Sequence, residues 1–337
     1  MSSKPIIIRR KDEAKGVESK DQHKSINISH DLGFIFHWGV YAVPAFDDPK
    51  SARRRKLQNG SEWYLKRLMN VSFRPPSGTK ETISHHEQQY PGKSYESFAN
   101  DWKAEAWNVD SWMNLVKQAG ATYVILTARH HDGFCLWNSE YSDIGVKTGG
   151  PKFDIVRKFK EAARKADLSW GVYYSWFDWN NSVTKKYLSE VVENQINELL
   201  SYEPEVWFFD GHWELNNKQY ADKIITNLCK RIKEETPNAL INDRITNKSY
   251  SDYSVWNDRY IPEEVPSVPW VHINTIGMSW GYNKAQEISD YKSSQNIMEL
   301  ISKIRKLRGG ILLNLGPKSD GTLDEYEEKT VLGLRKE

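Results

Sequence analysis

Gly120-Ala121-Thr122-Tyr123-Val124-Ile125-Leu126-Thr127-Ala128-Arg129-His130-His131-Asp132-Gly133-Phe134 decides the fold of this 337-residue chain. Just before it, Trp112, Leu115, Val116 and Ala119 recur at helical spacing and form one apolar stripe. Gly120 suits the end of that helix, where a left-handed residue commonly stops the turn. Residues 123–127 are then short, apolar and free of charge, as a strand covered on both faces requires. An arginine, two histidines and an aspartate follow at once. Helix, buried strand, then polar residues at the strand's end is the pattern of a parallel α/β sheet that binds its ligand at the C-terminal strand ends.

The same pattern repeats outward in both directions. Strand-like runs occupy residues 33–36, 170–175, 205–209, 239–241, 271–276 and 310–314. Helical stripes lie between them: Leu188, Val192, Ile196 and Leu199; Ile225, Leu228 and Ile232; Ile297, Leu300, Ile301, Ile304 and Leu307. Pro237 lies beyond the second of these, and Gly309-Gly310 closes the third. Strand–helix alternation over this length predicts an α/β fold, a (β/α)8-like TIM barrel spanning residues 31–337. Residues 1–30, polar and without periodicity, read as a flexible lead-in. Residues 70–95 read as a long insertion without regular structure.

Polar residues gather at five strand ends: His37-Trp38-Gly39, the 129–134 cluster, Trp176 with Trp179, Asp210-Gly211, and Asn242-Asp243-Arg244. Imidazoles, carboxylates and a guanidinium offer fixed hydrogen bonds to a polyhydroxylated molecule, and indoles offer faces for its C–H patches. A retaining glycosidase needs such a pocket, with one carboxylate as nucleophile and a proton donor. No metal or other cofactor is expected. A zinc site needs three or four converging ligands, and adjacent residues such as His130 and His131 on an extended chain point apart.

Composition narrows the classes further. The chain is 39% hydrophobic and 27% charged, with a net charge of +2, which is too little for a dedicated nucleic-acid binder. The dense basic run Arg53-Arg54-Arg55-Lys56 has two readings, a solvated loop or a contact for an anionic substrate. Fourteen Trp and seventeen Tyr serve either a core or sugar stacking. Cys135 and Cys229 read as buried thiols, not a disulfide framework. No apolar stretch approaches the ~20 residues that span a membrane. Ile6-Ile7-Ile8, followed by Arg9-Arg10, is too short for a signal-peptide core.

The run from Gly33 to Pro44, with His37-Trp38-Gly39-Val40-Tyr41 inside it, resembles the opening motif of the family 29 α-L-fucosidases. Glu62-Trp63-Tyr64, the 119–134 stretch, Phe208-Phe209-Asp210-Gly211, Trp280-Gly281-Tyr282 and the 309–317 stretch resemble that family's further blocks, in order. The resemblance implies a retaining glycoside hydrolase that cleaves α-L-fucosidic bonds, exo-acting on fucosylated oligosaccharides or polysaccharides. It implies Asp210 as nucleophile. His37, Glu62, His130 and His131 would hold sugar hydroxyls, and Trp63, Tyr174 and Phe208 would line the pocket. Many members continue into a C-terminal β-sandwich, which is expected to be absent or trimmed here.

The acid/base region departs from the family pattern. Where that pattern has Glu, an ungapped count places Asn257, and a one-residue insertion places Asp258. The family's second Trp-Glu pair corresponds to Trp270-Val271, with His272 next. An imidazolium is a competent proton donor, so His272 is preferred here, with Asp258 and then Glu263 or Glu264 behind it. A His acid/base is also a feature of the related endo-acting fucanases of family 107. An endo-fucanase on sulfated fucan is therefore the alternative, and a fucose-binding pseudoenzyme a further one. The expected location is secreted or periplasmic with a signal removed; the cytoplasm is the alternative.

Overall fold

Seven parallel strands form one sheet among the residues that the computed structural model describes, which are 26–335 without 57, 70–75 and 217. They are β1 (Leu32–Phe36), β2 (Tyr123–Arg129), β3 (Ser169–Ser175), β4 (Val206–Asp210), β5 (Leu240–Ile241), β6 (Val271–Thr275) and β7 (Gly310–Leu315), in the spatial order β5-β4-β3-β2-β1-β7-β6. Nearly every strand residue is buried, because helices cover the outer face and the sheet curls around its inner one. The covering helices include Val109–Gln118, Ile155–Lys165, Glu193–Leu200, Gln219–Glu235, Ser294–Lys306 and Glu325–Leu332. Asn108, Asp154 and Ser293 cap three of them through side-chain oxygens.

The architecture is a curled parallel sheet, a half-barrel. The edge strands β5 and β6 do not pair with each other. Between them runs a segment that makes one isolated bridge to each side, Asn242 with Tyr253 and Ser254 with Trp270. The eighth position of the expected barrel is thus held by two bridges and not by a strand.

Two sequence expectations need correction. Residues 1–25 lie outside the described part, but residues 26–30 are a packed turn and not a loose lead-in. His30 and Asp31 donate to the Asn27 carbonyl, and Ile28 is buried in the inner core with Tyr123. Within 70–95, residues 70–75 lie outside the described part, while Thr79–Gln89 is an α-helix. Ile83 is its only aliphatic residue, so no apolar stripe betrays it.

Strand alternation decides which residues face the site. Ile35, Ile125, Tyr173, Phe208, Ile273 and Leu312 fill the interior, while Phe36, Leu126, Tyr174, Phe209 and Leu313 face the helices. The same parity sends His37, Asp210 and Asn314 inward. Gly33 lies beneath the Tyr123 ring, where a Cβ would come within 2.2 Å of Cζ. A β-bulge interrupts β2. Thr127 pairs with Tyr173, but Arg129 pairs with Tyr174, so Ala128 is the extra residue. The bulge turns Arg129 outward and re-aims His130 into the interior.

Candidate active site

A cavity of about 340 Å³ opens at the C-terminal ends of the strands. Asp210, the last residue of β4, stands in its wall. Its Oδ1 accepts from Arg244 Nη1 at 2.7 Å and its Oδ2 from the Tyr173 hydroxyl at 2.8 Å. His131 Nε2 lies 3.6 Å from Oδ2. Burial alone would raise the Asp210 pKa, yet the Arg244 guanidinium, helped by His131 and Tyr173, lowers it to about 2. Gly211 follows with φ 80°, a left-handed turn, and a Cβ there would strike the Phe177 ring at 2.6 Å.

The Asn242-Asp243-Arg244 block divides its work. Asn242 bonds both the N–H and the C=O of Phe209, which secures the strand that carries Asp210. Asp243 Oδ1 accepts from Val255 N at 3.0 Å and holds the following loop. Arg244 donates from Nη2 to Asp258 Oδ1 at 2.5 Å, so one guanidinium bridges both carboxylates. Asp258 is flanked by two left-handed residues, Trp256 and Arg259, and Arg259 N ties the loop to the Ile273 carbonyl of β6.

Three of the imidazoles that line the cavity, His37, His130 and His131, are kept neutral by burial. Burial lowers His37 and His131 to about 4 and His130 further still. The His37 tautomer follows from its neighbours. Asn314 donates its amide N–H to the Trp280 carbonyl, so its oxygen must accept from His37 Nδ1–H, at 2.5 Å. Ser175 donates to the Phe177 carbonyl and so accepts from His131 Nδ1–H, at 2.6 Å. Each ring therefore keeps Nε2 as an acceptor for a ligand hydroxyl. The His130 ring makes no hydrogen bond to the described residues. It stacks on Tyr173 with ring centroids 5.5 Å apart.

Glu62, Trp63 and Phe208 also line the cavity. Glu62 is buried, which raises its pKa, while its carboxylate accepts from Gly60 N and Gly281 N. Thus His37, Glu62, Trp63, His130, His131, Phe208, Asp210 and Asp258 share one pocket, together with Asn257.

Two expected site residues lie elsewhere, for one reason. Tyr174 neighbours Tyr173 on β3 and points to the opposite face, where its hydroxyl donates to Gln195; Tyr173 takes its place in the pocket. His272 lies between the inward residues Val271 and Ile273 of β6, so it faces outward. It is buried there, Nδ1 to the Tyr260 carbonyl at 2.8 Å and Nε2 beside Asn274 Nδ2 at 3.1 Å. Glu263 and Glu264 are exposed and outside the pocket lining. The arginines of the basic run form ion pairs within the chain, at the surface for Arg53 with Asp290 and Arg54 with Glu81 and buried for Arg55 with Asp47. Pocket residues that were given no individual role from the sequence include Tyr173, Arg244, His212, Trp213, Trp256 and Trp280. Arg244 and Trp280 stood within noted motifs, and strand parity from Asp210 would have found Tyr173. The loop residues give no periodic signal.

The family model described as Alpha-L-fucosidase matches residues 7–335. The chain is 28% identical over 312 residues to the Alpha-L-fucosidase of Dictyostelium discoideum, covering 87% of this chain and 64% of that protein. It is 30% identical over 339 residues to the Plasma alpha-L-fucosidase of Rattus norvegicus, covering 88% and 65%. The crystal structure of the Thermotoga maritima alpha-fucosidase superposes with a TM-score of 0.77 at 30% identity, covering 91% of this chain and 71% of that one. The chain therefore spans just under two thirds of the length of these curated relatives.

Proposed function

This chain belongs to the α-L-fucosidase family, and from that premise we propose that it is a retaining, exo-acting α-L-fucosidase with Asp210 as nucleophile and Asp258 as acid/base. One observation carries the assignment. Arg244 bonds Asp210 from one terminal nitrogen and Asp258 from the other, inside the one pocket. A shared guanidinium keeps the two carboxylates close, and retention calls for carboxyl groups about 5–5.5 Å apart.

The steps follow from those positions. Asp210 is ionised at working pH and attacks the anomeric carbon. Asp258 gives its proton to the glycosidic oxygen as that bond breaks, and the leaving sugar departs as an alcohol. Asp258 then takes a proton from water, which attacks the same carbon and releases Asp210. Two inversions leave the α configuration unchanged. Only Oδ1 of Asp258 is hydrogen-bonded to the described residues, which leaves Oδ2 open to the glycosidic oxygen. The neutral imidazoles of His37, His130 and His131, with Glu62, hold the hydroxyls. Trp63, Tyr173 and Phe208 supply apolar faces.

A pocket of about 340 Å³ suits one terminal sugar of a fucose-containing glycan better than a continuous polymer. The endo-fucanase alternative drew on His272 and the basic run. The first faces away from the pocket and the second is paired internally, so neither supports it. We also infer that the half-barrel closes as a (β/α)8-like unit through the bridges of Tyr253 and Ser254. The test is proton NMR of α-L-fucoside hydrolysis. The first-formed product should be α-L-fucose; β-L-fucose, or no hydrolysis of any α-L-fucoside, would refute the proposal.

A further inference from the structure

We propose that the turn after the nucleophile, His212 and Trp213, together with the groove beyond it, forms the subsite for the departing sugar. The substrate is then fucose linked to a neutral oligosaccharide, not a simple fucoside. This rests on the fucosidase reading above and adds the residues that select the leaving group.

Trp213 is 42% exposed yet fixed in place. Its ring meets His131 and Phe177 nearly at right angles, at 5.6 and 5.9 Å, and those two stack on each other at 4.7 Å. One side of the indole is thus buttressed by the imidazole that faces Asp210, and the rest is open at the pocket's mouth. An aromatic surface held so is a platform for a sugar's apolar face. His212 lines both the pocket and a neighbouring groove of about 560 Å³. Asn216, Gln219 and Thr246 line that groove and supply neutral polar groups, which suit the hydroxyls of a bound saccharide. Lys218, Lys248 and Asp222 also line it, and their mixed signs select no strongly charged ligand.

The imidazoles that hold fucose belong to β1 and β2, whereas this groove lies beyond β4 and β5. It therefore opens away from those imidazoles, on the side that the proposal assigns to the leaving sugar.

The experiment compares two substrates in wild-type enzyme, Trp213→Leu and Thr246→Val. One is α-L-fucosyl fluoride, whose leaving group is too small to reach the groove. The other is the fucosylated trisaccharide that the wild type cleaves best. The loss of kcat/KM on the trisaccharide should exceed that on the fluoride by about tenfold for Trp213→Leu, and Thr246→Val should show the same bias with a smaller ratio. Trp213→Phe should recover most of it. Equal losses on both substrates, or none on either, would overturn the subsite. Wild-type enzyme that leaves fucosyl fluoride intact would instead overturn the fucosidase reading itself.

Discussion

Arg244 Nη1 lies 2.7 Å from Asp210 Oδ1, and this contact is what keeps a buried carboxylate ionised. Asp210→Asn keeps the shape and the Tyr173 contact but cannot form a glycosyl ester. Turnover should fall by roughly a thousandfold or more, with a cooperative melting transition retained. Steady-state kinetics beside calorimetry measures both. Activity within tenfold of wild type would remove Asp210 from the nucleophile's role.

Asp258 and His272 separate by leaving group. Asp258→Asn should lose most activity on oligosaccharides, which need a proton, and keep far more on aryl fucosides with acidic phenols. His272→Ala should instead lower the melting temperature. It removes a buried, hydrogen-bonded ring, at about 1–3 kcal/mol, and its activity loss should not depend on the leaving group. The slope of log kcat/KM against leaving-group pKa distinguishes the two; a steep slope for His272→Ala alone would return the acid to His272.

The acid limb of kcat/KM should fall near pH 4, where His37 and His131 take up protons, and not near 6.5. Stability follows the same sign. Folded His37 titrates at about 4 and an unfolded histidine at 6.5, so between them the unfolded chain binds more protons. The stability associated with its neutral form is complete above 6.5 and is lost as pH falls toward 4, up to roughly 3 kcal/mol. An acid limb at 6.5 in a pH–rate profile of the free enzyme would contradict neutral imidazoles.

Glu327 is buried behind β7 and accepts from Gly316 N at 3.0 Å, and burial raises it to about 8. Its folded pKa lies above the unfolded value, so stability is lost as pH rises from about 4.5 through 8. Glu327→Gln should melt near wild type at pH 5 and clearly above it at pH 8, with a gap on the order of a few kcal/mol. Melting curves that stay parallel across that range would show that Glu327 is ionised in the fold.

The strands and their polar ends were legible because buried parallel strands are short, apolar runs, and polar residues that follow such a run stand out. Asp210 and His37 were found that way. Facing was not legible from runs that are apolar on both sides. Tyr174 and Tyr173 look alike in sequence, and His272 between two aliphatics carries no sign of its direction. The bulge at Ala128, which brings His130 inward, is a backbone event with no glycine to mark it. The loop at 256–259, which carries the proposed acid/base, depends on two left-handed turns made by Trp and Arg, residue types that do not announce them.

The proposed mechanism passes through a covalent fucosyl–Asp210 intermediate. Incubation with 2-deoxy-2-fluoro-α-L-fucosyl fluoride, followed by mass spectrometry of intact protein and peptides, tests it most directly. One 2-fluorofucosyl group per chain is predicted, on the peptide that contains Asp210 and at that carboxylate, and absent from Asp210→Asn. A label on any other carboxylate, or steady turnover of α-L-fucosides with no label at all, would contradict the account.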